Sequence, residues 1–382
     1  MKRAIVIVLD SVGIGLAPDA EQFGDSGTNT LCNIVRETGL ELPHLTSLGL
    51  GNIVDLDCLA SVENPKGSYG RMIEVSQGKD TTIGHWEIAG LQIDRPLPTY
   101  PEGFPKDVMD AFHDAIGRTS LVNLPYSGTE VIAEYGEEHM RTGQPIVYTS
   151  NDSVFQIAAH EDIIPIEELY DMSRKARDIL TGEHALARVI ARPFVGEPGS
   201  FTRTSNRKDF SLSPFDETIL DQLKAAGYDV ISIGKIEDIY NGHGITEAHH
   251  IDSNLDGILQ TIERMNQSFQ GLLFINLVDF DAKYGHRRNP QGYADALKEF
   301  DNYLPQILDA LAPEDLLIIT ADHGNDPTYK GSDHTRETVP VLVYGKQRNA
   351  RSLGRIHGFY AIAQTLADFF QVRGTGRGES LL

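Results

Sequence analysis

The sequence predicts an α/β protein: a mostly parallel sheet covered by helices on both faces, interrupted by a smaller inserted α+β domain. Three observations carry this. Apolar runs of strand length alternate with amphipathic stretches along most of the chain, the pattern of parallel strands joined by helical crossovers. Three of those runs lead into an Asp: Lys2–Asp10 (KRAIVIVLD), Gly271–Asp281 (GLLFINLVDFD) and Leu316–Asp322 (LLIITAD). Between residues 98 and 214 the texture changes, with Pro96, Pro98, Pro101 and Pro105 close together at the boundary.

Taken in order, Ala4–Leu9 is a buried parallel strand by length and composition. The Ser11-Val12-Gly13-Ile14-Gly15 loop after it lacks the rest of a dinucleotide fingerprint. Thr28–Glu37 and Leu45–Leu50 read as helices stopped by Gly39 and Gly51. Gly70–Val75 reads as a strand, followed by Gly78-Lys79-Asp80-Thr81-Thr82-Ile83-Gly84-His85-Trp86, where a helix can begin at the two threonines. A helix N-terminus suits a phosphate, although a Thr there also serves as an N-cap.

The segments 1–97 and 215–382 form the two parts of the core domain, and 98–214 the insert. Within the insert, Phe104–Gly117, Gly128–Arg141 and Ile166–Leu180 are helical patterns. Pro145–His160 reads as strand, polar turn and strand, and Leu186–Val195 as a strand carrying Arg188 and Arg192. A loop with Arg203, Arg207 and Lys208 follows. The core resumes with the helix Asp216–Ala226, the strand Tyr228–Gly234 ending at Lys235, and the helix Asp252–Asn266. The Asp281 strand, the helix Gly292–Leu311, the Asp322 strand, the strand Val339–Tyr344 and the helix His357–Phe370 complete it.

The 382 residues carry a formal net charge of −22. This argues against nucleic acid as a partner and makes the basic residues of the insert more informative, since an anionic substrate needs them. Cys32 and Cys58 offer neither metal spacing nor a disulfide framework, which fits a reducing compartment. The first apolar run is too short for a signal peptide, and no stretch nears the roughly 20 apolar residues of a membrane helix. The expectation is a cytoplasmic protein with no membrane partner.

Asp10, Asp281, His286, Asp322, His323 and His334 are too many ligands for one ion and suit two. One partition gives Asp281, His286 and His334 to one metal and Asp10, Asp322 and His323 to the other. Carboxylate and imidazole without thiolate suit Mn²⁺ or Zn²⁺. Two ions roughly 3.5–4 Å apart can clamp a phosphoryl group during in-line displacement, and a Thr oxygen beside them can act as nucleophile.

These motifs resemble the alkaline phosphatase superfamily. The stretches VLDSVGIG, GKDTTIGHWEIAG, YTSNDSVFQIAAHE, VIARPFVG, VDFDAKYGHRR and TADHGNDPTYKGSDHTRE are similar, from end to end of the chain, to the bacterial phosphopentomutase family. The resemblance implies an alkaline-phosphatase-like core with the insert as a cap. It also implies an enzyme with two Mn²⁺ ions that interconverts ribose 1-phosphate and ribose 5-phosphate, and their 2-deoxy forms. A phosphothreonine intermediate on Thr81 is implied, with ribose 1,5-bisphosphate or glucose 1,6-bisphosphate as activator. By the same resemblance, Ser150, Asp152, Arg188, Arg203 and Lys235 bind the pentose phosphate. The competing readings are another phosphomutase or phosphatase of the superfamily, such as a bisphosphate-independent phosphoglycerate mutase, and a non-catalytic metal-binding protein. The first of these mutases has a Ser nucleophile where Thr81 stands here.

Overall fold

The computed structural model describes residues 2–150 and 153–382. In chain order its strands are β1 (Arg3–Leu9), β2 (Ser68–Ile73), β3 (Leu121–Pro125), β4 (Ile146–Thr149), β5 (Val154–His160), β6 (Arg188–Val195), β7 (Thr202–Arg203), β8 (Lys208–Ser211), β9 (Asp229–Ile233), β10 (Glu247–His249), β11 (Gly271–Leu277), β12 (Leu316–Thr320), β13 (Val339–Tyr344) and β14 (Ser352–His357). The chain divides into two compact units. One runs to Pro96 and resumes at Pro214; the other is Leu97–Ser213.

The larger unit is built on an eight-stranded sheet in the order β10-β9-β11-β1-β12-β13-β2-β14. All neighbours pair in parallel except β13, which runs antiparallel to β12 and β2. Strands β11 and β12 are buried throughout and β1 from Ala4 onward, so they read as unbroken apolar runs rather than alternating ones. Their register brings the carboxyl ends level: Leu9 faces Leu277, and Val8 faces Thr320. Three central strands therefore deliver their following loops to one edge, where open α/β sheets bind ligands.

Helix α1 (Thr30–Thr38) begins at Asn29, whose side chain accepts the Cys32 N–H, and stops at Gly39 in the left-handed region. Helix α2 (Pro43–Leu48) has Asp301, from the long Pro290–Ala310 helix, accepting the N–H groups of His44 and Leu45 at 3.1 and 2.7 Å. Helix α3 (Thr81–Ile88) begins where the two threonines suggest.

The smaller unit is a six-stranded sheet in the order β3-β4-β5-β6-β7, with β8 also paired to β6. The helices Lys106–Ile116 and Ile166–Ile179 pack with Phe155, Ile157, Val189 and Ala191 on one face of this sheet. The Gly128–Thr142 helix packs with Ile146, Tyr148, Ala158 and Phe194 on the other.

Several expectations need correction. The strand expected to reach Asp281 ends at Leu277, and Asp281 lies in a π-helical turn, Phe280–Gly285. Such turns insert one residue into the helical repeat and re-aim the side chains that follow. The stretch with Arg203 and Lys208 is not loop but the two short strands β7 and β8. The last helix starts at Ala361, because Ser352–His357 pairs with β2 as an edge strand. Among the described residues no helix is long and apolar enough to cross a membrane.

The two cysteines do not stay free. Cys32 in α1 and Cys58 form a disulfide, 26 residues apart in sequence, with Cα atoms 5.2 Å apart. The spacing carried no framework because the pairing is made by the tertiary fold, and the argument for a reducing compartment falls with it. Closing a loop of this length restricts the unfolded chain. Cys32→Ser should therefore lower the unfolding free energy by about 3 kcal/mol in a non-reducing denaturant titration. Thiol titration of the unfolded, unreduced protein should find no free thiol; two would contradict the bridge.

Candidate active site

The six residues expected as metal ligands fall into two groups: Asp10, Asp322 and His323, and Asp281, His286 and His334. In each group the donor atoms all lie within 4.8 Å of one another. The groups adjoin, with the His323 and His334 rings 4.1 Å apart between centroids.

Five of these six residues are oriented by a neighbour. The carbonyl of Gly324 accepts from His323 Nδ1 at 3.0 Å, and that of Ser332 from His286 Nδ1 at 2.7 Å. A carbonyl can only accept, so Nδ1 carries the proton in both rings and Nε2 is left for the site. Asn276 Nδ2 donates to Asp10 Oδ2 (2.9 Å), Asn325 Nδ2 to Asp281 Oδ1 (2.7 Å), and the Ser11 N–H to Asp322 Oδ1 (3.0 Å). One oxygen of each carboxylate is thereby pinned. Asp10 Oδ1 and Asp322 Oδ2 are buried and have no hydrogen-bond partner among the described residues. Both face His323 Nε2, at 3.5 and 3.3 Å. In the second group His286 Nε2 and His334 Nε2 are 3.1 Å apart, and they lie 3.1 and 3.4 Å from the two oxygens of Asp281.

Burying carboxylates and imidazoles together displaces their protonation. Burial pushes Asp10 up to about 7, reinforced by the charges of Asp322 and Asp281 and opposed by His323 and Lys235. Burial disfavours the His323 imidazolium too, yet Asp322, Asp10 and Asp281 outweigh it and push His323 up to about 9. Asp281 works against its burial with His334, His286 and His323, and is held well below the usual carboxylate range. A set of oxygen and nitrogen donors that repel or share protons in this way, with unpartnered oxygens at its centre, fits divalent cations.

The nucleophile candidate stands beside the first group. Asp80 caps α3 by accepting the N–H groups of Thr82 (2.9 Å) and Ile83 (3.2 Å), which leaves Thr81 at the first helical position. Thr81 Oγ1 is 3.0 Å from His323 Nε2. The approach of α3 depends on Gly84, where a Cβ would sit 2.1 Å from the Asp322 carbonyl oxygen.

Sequence reasoning did not single out His85, Asn276, Asn325 or Arg288. His85 Nδ1 is 2.9 Å from the Thr81 carbonyl and 3.1 Å from Asp322 Oδ2. Its spacing of four from Thr81 on one helix was a readable signal. Arg288 spreads its guanidinium over the carbonyls of Gly285, Asp326, Gly331 and Asp333 and over Asn325 Oδ1, holding the loop that carries His334. No local pattern announces such a contact.

The residues expected to bind substrate are spread over both units. Lys235 is exposed just beyond β9, and its charge bears on Asp10. In the smaller unit Ser150 follows β4, Arg188 opens β6 with Nη1 3.6 Å from Asp209 Oδ2, and Arg203 is exposed on β7. Asp152 lies outside the described residues.

This architecture and donor set agree with the comparisons to known proteins. The sequence model of the Metalloenzyme superfamily matches residues 2–373. The phosphopentomutase of Alkaliphilus metalliredigens is 59% identical over 382 residues, covering 100% of this chain and 98% of that protein. The phosphopentomutase of Caldanaerobacter subterraneus subsp. tengcongensis is 58% identical over 383 residues, with the same coverages. Among solved structures, the phosphoglycerate mutase of Leishmania mexicana aligns with a TM-score of 0.50 at 12% identity, over 99% of this chain and 96% of that one. At that identity it speaks for the fold alone, an alkaline-phosphatase-like α/β core. The chain belongs to the metalloenzyme superfamily. Within it, the chain belongs to the phosphopentomutase family.

Two outcomes test the site. Asp322→Ala removes a donor whose place a methyl group cannot take, and metal analysis should find bound ions reduced from two toward one per chain, with activity abolished. Two ions still tightly held in each of the Asp10, Asp281 and Asp322 variants would move the metals elsewhere. Gly84→Ala should displace α3 from Asp322 and cut turnover at least a hundredfold, about 2.7 kcal/mol at ten-fold per 1.36 kcal/mol, while the metal content stays at the wild-type level.

Proposed function

We propose that the protein is a phosphopentomutase that interconverts ribose 1-phosphate and ribose 5-phosphate, and the 2-deoxy equivalents, through a phosphorylated Thr81. The observation that carries this reading is Thr81 Oγ1 at the first turn of α3, 3.0 Å from His323 Nε2, beside two sets of metal-type donors in a phosphopentomutase-family chain. We assign Asp10, Asp322 and His323 to one Mn²⁺ and Asp281, His286 and His334 to the other. When bound, such a pair supplies electrophilic stabilisation of the transferring phosphoryl oxygens.

The chain's own groups do the rest. Asp80 fixes the start of α3, so the helix N-terminus with its dipole points at a phosphate on Thr81. His323, held in one tautomer by Gly324, faces Oγ1 with Nε2. Lys79 bridges Asp25 (3.0 Å) and Asp333 (3.1 Å), tying the segment before Thr81 to the loop that carries His334.

In the first half-reaction the P–O bond to Thr81 breaks as one to a sugar oxygen forms, and the sugar hydroxyl gives up its proton; in the second the P–O bond at the other end of the sugar breaks as one to Thr81 forms, and the released sugar oxygen takes up a proton. A pentose monophosphate becomes a bisphosphate; the phosphoryl group at its other end then returns to Thr81. Ribose 1,5-bisphosphate or glucose 1,6-bisphosphate would accordingly load unphosphorylated protein. Arg188 and Arg203, with Ser150, Asp152 and Lys235, are assigned to the sugar and its non-reacting phosphate, for which arginine offers bidentate recognition.

Protein treated with a sugar bisphosphate and Mn²⁺ should carry one phosphoryl group on the peptide that contains Thr81. Thr81→Ala should lose both the label and pentose phosphate interconversion, and Thr82→Ala should keep both. Label on Thr82, or turnover by the Thr81 variant, would overturn the assignment.

A further inference from the structure

His85 is fully buried on α3, one turn after Thr81, and is neither a candidate metal ligand nor a contact of the Thr81 hydroxyl. Its Nδ1 is 2.9 Å from the Thr81 carbonyl oxygen, which can only accept, so this nitrogen carries the ring proton. Asp322 Oδ2 lies 3.1 Å from the same nitrogen. One N–H group is therefore within reach of two partners: the backbone of the nucleophile candidate, and the Asp322 oxygen that the Ser11 N–H leaves open. The opposite ring edge gains nothing. Nε2 is buried and has no hydrogen-bond partner among the described residues, an arrangement that costs about 1–3 kcal/mol. A leucine here would avoid that cost, so packing alone does not account for an imidazole.

The ring sits in a supported place. Phe274 of β11 lies 6.1 Å from it between centroids, tilted by 36°. Tyr240 Oη donates to the His85 carbonyl, and Trp86 Nε1 donates to that of Ile239 at 3.1 Å. Two bonds of opposite direction thus join α3 to the short helix Ile236–Ile239 and the Tyr240 that caps it. At Gly84 the α3 backbone meets the Asp322 carbonyl. These contacts place residues 84–86, and side chains on a helix fold back over the preceding turn. The His85 N–H carries that placement back to residue 81. A donor beside a carboxylate oxygen also limits the directions that oxygen can take, which matters where it serves as a metal-type donor.

We propose that His85 is a positioning residue: through Nδ1–H it holds the Thr81 backbone and Asp322 Oδ2 in one geometry, so that the nucleophile and the donor oxygen keep a fixed separation. Its effect on turnover rests on the reading of Thr81 as the nucleophile; its effect on Asp322 does not. Three variants of the full chain test it. The amide nitrogen of His85→Asn can take the place of Nδ1, that of His85→Gln takes the place of Nε2, and His85→Leu has no donor. Mn²⁺ affinity by calorimetry, kcat and KM for ribose 5-phosphate, and the melting temperature are measured for each. His85→Gln and His85→Leu should lower kcat at least tenfold at unchanged KM and weaken Mn²⁺ binding about tenfold, the usual scale for groups behind a metal donor. His85→Asn should recover most of both, although it fills the buried space least and should melt lowest. Function then follows the donor and not the stability. Wild-type turnover or wild-type Mn²⁺ affinity in His85→Leu overturns the proposal. So does a His85→Asn protein as impaired as His85→Leu at a temperature where both are folded. If the wild-type protein binds Mn²⁺ but fails to interconvert pentose phosphates, the reaction assignment falls, and the order of Mn²⁺ affinities alone decides the role of His85.

Discussion

Three carboxylates, Asp10, Asp281 and Asp322, are buried within one another's field, and the architecture around them exists to make that tolerable. An isolated buried carboxylate costs several kcal/mol even after relaxation. Here mutual repulsion adds to it, which is why Asp10 is pushed up to about 7. Three histidines offset part of the charge, but among the described residues Asp10 Oδ1 and Asp322 Oδ2 still have no hydrogen-bond partner. Cations of higher charge, placed between these groups, would complete the balance. The apolar runs of β11, β1 and β12 can then be read as the scaffold for this arrangement. Strands buried so completely do not shift register, so the loops they launch stay aligned.

Precision comes from the shell behind the ligands. Asn276, Asn325 and the Ser11 N–H each pin one oxygen of a carboxylate, and Gly324 and Ser332 each select a histidine tautomer. These contacts leave little rotational freedom in the donor atoms, as a preorganised electrostatic site requires. The close approach at Gly84 extends this to α3, whose backbone meets that of Asp322 without an intervening side chain. The helix that carries Thr81 and the segment that carries Asp322 are therefore in direct backbone contact.

The central strands and their Asp and His residues were legible because a buried parallel strand is a local, high-contrast pattern. Asp281 was legible as a site residue but not in its setting. The spacing Asp281–His286 fits a strand followed by a loop as well as it fits the π-helical turn that carries it. The short strands β3, β7, β10 and β14 escaped notice because partly exposed edge strands need little apolar sequence. Arg288, Asn276 and Asn325 were hidden for a different reason. Their partners lie tens or hundreds of residues away, and an Arg or Asn looks the same in sequence whether it braces a loop or faces water. The Cys32–Cys58 bridge belongs with these: composition counted two cysteines, and only the fold brings them together.

A mutase must do more than a phosphatase with the same metals: it has to retain a sugar while its phosphate changes ends. That demands recognition of the end that is not reacting, by groups indifferent to which carbon bears the phosphate. Arginines and helix N–H groups meet this condition, since they read the phosphate rather than the ring. The smaller unit carries arginines of this kind, with Arg192 donating to Gln156 and Arg207 to Asp209. Among the described residues the buried Tyr148 hydroxyl has no hydrogen-bond partner, and burial lowers Arg192 from its ordinary range, with neighbouring Arg207 adding to it. Departures from internal satisfaction of this kind concentrate where a protein meets its ligand.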